Sequence, residues 1–88
     1  TATIYMNLGF AYGKAGLCNM QVQYMEKSLF IFERILFPTH QDIGDICHNL
    51  GYCYHELGDS EKAIQMFTRA KEINKINGVS RDYSKFGL

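Results

Sequence analysis

Cys47, His48, Cys53 and His55 fall in one short stretch with the spacing C-H-x4-C-x-H. These residue types ligate zinc, which needs its donors at about 2.0–2.3 Å from a single point. On a helix, however, the four side chains point in different directions. His48 and His55 share a face but stand two turns apart, about 10 Å along the axis, and cannot meet on one ion. No metal site is expected, and Cys47 and Cys53 read as small packed thiols.

Nucleophilic chemistry fares no better. The chain carries no GxSxG, P-loop or HExxH pattern. Cys18 lies in a turn with no His near it in sequence and reads as a plain surface or half-buried thiol. The cluster Asp59-Ser60-Glu61-Lys62 is most simply a helix N-terminus, where the helix dipole favours acidic side chains. No catalytic residue, cofactor or enzymatic activity is expected.

Charge narrows the partners. Lys+Arg and Asp+Glu number 9 each, for a net charge of zero, whereas nucleic-acid and anionic-membrane surfaces need positive excess. The expected partner is therefore a protein or peptide, with no nucleic acid and no membrane. No run of about 18 apolar residues could span a bilayer, and no basic stretch followed by an apolar core marks a signal peptide. The 88 residues, 47% apolar and 20% charged, suit a folded chain of one domain or less. Three widely spaced cysteines make a poor disulfide framework and favour a reducing, cytoplasmic setting.

The elements that carry these residues come in two copies. Shifted by about 42 positions, Ile4, Asn7, Leu8, Gly9, Tyr12 and Gly16 fall on Ile46, Asn49, Leu50, Gly51, Tyr54 and Gly58. Gln23 meets Gln65, and Ile31 meets Ile73. The string N-L-G-x-x-Y-x-x-x-G thus occurs twice. In each copy one apolar stripe at helical spacing ends at a glycine and a second follows. Tyr5, Leu8, Tyr12 and Ala15 lead to Val22, Met25, Leu29, Phe32 and Leu36. Cys47, Leu50, Tyr54 and Leu57 lead to Ala63, Phe67, Ala70 and Ile73. Pro38 interrupts the pattern between copies, and Thr39 with Asp42 resembles a capping box. Asp59 or Ser60 caps the last helix. The pattern predicts helices at roughly 2–15, 19–36, 40–57 and 60–76, with no strand. The fold class is all-α, with units at 1–36 and 37–78. Residues 79–88 either start a third unit or fold back as a cap, because Phe86-Gly87-Leu88 falls on Gly44-Asp45-Ile46 under the same shift.

Gly9 and Gly51 lie mid-helix, where glycine costs about 1 kcal/mol relative to alanine. Close helix approach is the expected reason, with Ala63 and Ala70 as matching small residues and Tyr12 and Tyr54 filling the wider gap. Leu8, Tyr12, Leu50, Tyr54, Ala63, Phe67 and Ala70 form the expected core.

An aromatic, then Leu-Gly, Tyr, Ala and a second aromatic in a helix–turn–helix unit resembles the tetratricopeptide-repeat family, whose unit is about 34 residues. The second copy matches through Leu50, Gly51, Tyr54, Ala63, Phe67 and Ala70, with Cys47 for the usual aromatic. The first matches through Tyr5, Leu8, Gly9, Tyr12 and Ser28. Gln21 stands there for the small Ala and Met25 for the aromatic, which suggests looser packing of the first helix pair. Glu33 and Lys75 replace the closing Pro. The longer period is similar to the long-repeat branch that includes kinesin light chain.

The resemblance implies a right-handed superhelical solenoid segment that binds a peptide or partner protein. It also implies that the first helix of each unit lines the concave face. The candidate binding residues are then Met6, Asn7, Phe10 and Lys14, with Thr3, in the first unit. In the second they are Asp45, His48, Asn49, Tyr52, His55 and Glu56. Asn7 and Asn49 are the family's candidates for reading a peptide backbone, an amide being both donor and acceptor. His48, Tyr52 and His55 share one helical face. With only Lys14 basic among these residues, a clamp for a terminal carboxylate is not expected. A peptide-sensing segment of a larger signalling protein and a structural spacer are the alternatives. Phe30, Phe32, Ile35 and Phe37 add an expectation of self-association through exposed repeat ends, unless residues 79–88 cap them.

Overall fold

The computed structural model describes all 88 residues. It contains α1 (Ala2–Lys14), α2 (Cys18–Ile35), α3 (Gln41–Glu56) and α4 (Ser60–Ile76), then a short 3-10 turn at Ser84–Phe86 and no strand. The all-α helix–turn–helix fold expected from the sequence is the fold observed. Each helix packs on the next: α1 on α2, α2 on α3, α3 on α4.

The turns follow from three glycines. Gly16, Gly58 and Gly78 sit past the ends of α1, α3 and α4 with φ of 77°, 82° and 73°, the left-handed region that glycine enters without a Cβ penalty. In each case the following amide reaches back to close the helix. Leu17 N–H donates to Tyr12 O at 2.9 Å, Asp59 N–H to Tyr54 O at 2.8 Å, and Val79 N–H to Asn74 O at 2.8 Å. That is the Schellman closure, used three times. The helix α2 ends differently, at an extended Leu36 two residues before Pro38, since proline disfavours a helical residue before it. The cap of α3 is His40 rather than Thr39: His40 Nδ1 accepts from Asp42 N–H at 3.0 Å. At α4, Asp59 Oδ1 accepts from Lys62 N–H at 3.1 Å.

The mid-helix glycines do admit close approach, but what they admit is a large side chain. A Cβ on Gly51 would stand 2.6 Å from two carbons of the Phe67 ring, and one on Gly9 would stand 2.8 Å from Met25 Cγ. Ala63 and Ala70 are buried but do not fill these gaps. Met25 takes the place of the aromatic and lies fully buried against Gly9.

Gln21 is accommodated by a compensating change. The second hairpin carries His55 and small Ala63 where the first carries Gly13 and large Gln21, and in the first the two meet across the turn. A Cβ on Gly13 would lie 2.3 Å from Gln21 Nε2.

Leu8 is not in the core. It is 37% exposed and Ile4 57%, whereas their duplicates Leu50 and Ile46 are both 0% exposed. The cause is topological. The face of α3 that carries Ile46 and Leu50 packs on α2, and nothing lies against the same face of α1. Tyr12 and Tyr54 are half-buried rather than buried. Tyr12 stacks on Tyr24 with ring centroids 5.4 Å apart, and Tyr54 donates to Glu26 Oε1 at 2.5 Å. Burial and then that carboxylate push the Tyr54 hydroxyl well above the ordinary tyrosine range. No helix is long and apolar enough to cross a membrane.

Candidate functional site

Two first helices, α1 and α3, open a groove between them. Phe10 and Lys14 line it from α1, and Asn49, Tyr52 and Glu56 from α3. Gly13, Cys18, Gln21 and Cys53 complete the lining, and the groove encloses about 480 Å³. Five of the eleven sequence candidates therefore meet on one surface.

The groove is charge-balanced. Lys14 and Glu56 contribute one charge of each sign, while Phe10 and Tyr52 supply aromatic area. Cys53 Sγ donates to Gln21 Oε1 at 2.8 Å. Burial, followed by the neighbouring Cys18, pushes the Cys53 thiol up to about 12, so it stays a protonated donor. Burial likewise pushes Cys47 up to about 11. Thiols raised in this way are poor nucleophiles and poor ligands, which bind as thiolates.

The asparagine pair splits. Asn49 Nδ2 donates to the Asp45 carbonyl one turn back at 2.8 Å, leaving its Oδ1 for a ligand. Asn7 is exposed on α1, away from the groove lining, and Met6 beside it is half-buried against the core.

The remaining candidates gather elsewhere. Asp45, His48 and His55, with Tyr52 shared from the groove, form the α3 side of a second surface, completed by Phe67 and Asn74 of α4 and covered by residues 81–86. Arg81 pairs with Asp45 Oδ1 at 3.0 Å. The Tyr83 ring is 3% exposed, and its hydroxyl sits 2.7 Å from His48 Nδ1 and 3.0 Å from Asn74 Nδ2. An amide N–H can only donate, so Asn74 donates to the Tyr83 oxygen and the Tyr83 O–H donates to a neutral His48. Burial first, then Arg81, hold the His48 imidazole below its ordinary value of 6.5, with Asp45 pulling the other way. Phe86 stacks on Phe67 at 4.2 Å and meets His55 and Tyr52 edge-on at 5.0 and 5.4 Å.

Sequence reasoning did not single out Arg81, Tyr83, Phe86 or Asn74. Only the Tyr-x-x-Phe spacing in the tail could have pointed to Tyr83 and Phe86, and no pattern in the sequence marks Arg81 or Asn74. Gly13 was legible in principle as the partner of an oversized Gln21 across the turn.

The family model described as Tetratricopeptide repeat matches residues 1–76. Members of this family mediate protein–protein interaction through a non-enzymatic fold. Comparison with curated proteins and with solved structures gives no significant match.

Proposed function

The chain belongs to the tetratricopeptide-repeat family, and on that footing we propose that it holds an extended peptide of a partner protein in the groove between α1 and α3. The observation that carries this reading is the convergence of Phe10, Lys14, Asn49, Tyr52 and Glu56 from two helices on one open groove. Phe10 and Tyr52 would anchor apolar or aromatic side chains, the residue types that dominate interface energies. Asn49 Oδ1 would accept from a peptide N–H, a bond worth about 0.5–1.5 kcal/mol net. Lys14 and Glu56 would set the direction of a mixed, weakly charged ligand.

The 42-position shift and the absent closing proline support the long-repeat, kinesin-light-chain-like branch. Three free cysteines, two of them buried, favour a cytoplasmic setting. Phe30, Ile35 and Phe37, at 61%, 66% and 62% exposed, together with uncovered Ile4 and Leu8, support self-association, whereas Phe32 is buried; residues 81–86 cover α3 and α4 and leave those side chains bare. The sensing alternative draws on that covering segment, which a ligand could displace.

Selection of linear peptides on the immobilised chain, followed by calorimetry, tests the proposal. The best peptide should bind Phe10→Ala and Asn49→Ala several-fold more weakly and Lys75→Ala unchanged. Failure to enrich any peptide, or binding indifferent to both groove substitutions in folded variants, would remove the groove from consideration.

A further inference from the structure

The covered face of α3 and α4 is built to read something specific. Its pocket for Tyr83 has a polar floor that is matched atom for atom: His48 Nδ1 as acceptor and Asn74 Nδ2 as donor, the latter on a side chain 2% exposed. A phenylalanine in this pocket would leave both unpaired, and sites built to bond a hydroxyl reject the analogue lacking it. One turn further along α3, Tyr52, His55 and Phe67 form an aromatic box around Phe86. At the near edge Asp45 receives a guanidinium. The three features lie in a row, in the order in which a short segment presents a basic residue, a tyrosine two residues on and a phenylalanine three beyond it.

We propose that this face is a receptor for an Arg-x-Tyr-x-x-Phe segment of a partner protein, a site the chain's own residues 81–86 fill in cis. The seated segment defines the ligand chemistry: a cation for Asp45, a phenol for His48 and Asn74, a flat apolar ring for the Tyr52–His55–Phe67 box. The hold on the cis segment is local, because Asp82, Ser84 and Lys85 between the anchors are exposed. A partner segment with the same anchors competes for the same contacts. This surface is distinct from the α1–α3 groove except at Tyr52, so the two readings fail separately when Tyr52 is left intact.

The test uses the full 88-residue chain carrying Tyr83→Ala and Phe86→Ala, which frees the face, and a fluorescently labelled peptide of residues 79–88 as probe. Anisotropy should show saturable binding at least tenfold tighter than to the wild-type chain, where the cis segment competes. A probe with Phe in place of its Tyr should bind about tenfold more weakly, and one lacking both aromatic rings should not bind. If the double variant does not fold, Tyr83→Phe, which keeps the buried ring but leaves His48 and Asn74 without their hydroxyl, should bind the probe more tightly than the wild-type chain does, and equal binding to the two chains would overturn the proposal. No saturable binding to a variant whose circular dichroism shows α1–α4 intact would overturn the proposal, as would equal binding of the Tyr and Phe probes. A wild-type dimer that disappears in the double variant would assign the face to a second copy's tail, and would also overturn it.

Discussion

Gly51 lies under the ring of Phe67, so close that a methyl group on it would stand 2.6 Å from the ring carbons. The ring is fully buried, and well-packed interiors resist even one added methylene. Gly51→Ala is expected to destabilise by about 1–3 kcal/mol through overpacking, despite the roughly 1 kcal/mol that alanine gains in helix propensity. Gly9→Ala should lose less, because Met25 is an unbranched chain that can move. Urea unfolding of both variants checks the ranking; a Gly51→Ala midpoint at or above wild type would show the contact to be slack.

Gly13 and Gln21 give a second test of packing. Gly13→Ala is expected to destabilise, since Gln21 is held by Cys53 and cannot swing away freely. Removing the obstruction should restore part of the loss, so Gly13→Ala combined with Gln21→Ala should be more stable than the sum of the single effects. Contacting pairs commonly couple by about 0.5–3 kcal/mol. Strict additivity in the double-mutant cycle would contradict the compensating exchange.

These two glycines show what the sequence discloses and what it does not. The helices were legible to within a residue because duplication repeats every stripe and every closing glycine. The presence of Gly9 and Gly51 pointed to close approach, yet their partners were misassigned to alanines, since only three-dimensional register brings Phe67 and Met25 over them. Leu8 was misread because its pattern is that of Leu50, whereas its burial depends on a helix that packs on α3 and has no counterpart on α1. For the tail, folding back as a cap was one of two expectations, but its anchors were not legible: residues 79–88 have no helical periodicity, and their contacts with His48 and Phe67 are long-range.

Stability should depend on His48 protonation. Its folded-state pKa lies below 6.5, so in the window just below that value the unfolded chain binds more protons and stability rises with pH. The contribution is complete above about pH 6.5 and is lost as pH falls. Asp82, held low by the Ser84 backbone N–H, titrates below its ordinary 3.8 and lies outside this window. Denaturation midpoints at pH 7.5 and 5.5 should differ in wild type and differ less in His48→Gln. An equal drop in both would exclude His48 as the cause.

The thiols should separate by reactivity. At pH 8, Ellman's reagent should modify half-buried Cys18 well ahead of Cys47 and Cys53, which are buried and raised to about 11 and about 12. The latter two should react only with unfolding, at a rate that grows with urea. Three equivalents reacting together in native buffer would contradict the packed-thiol assignment.

The groove itself is tested most directly by amide chemical-shift mapping of the isotope-labelled chain with a selected peptide. The account predicts that the largest shifts fall on Phe10, Gly13, Lys14, Asn49, Tyr52 and Glu56, the residues that line the α1–α3 groove. Shifts confined to the outer faces of α2 and α4, with those six unmoved at saturation, would contradict it.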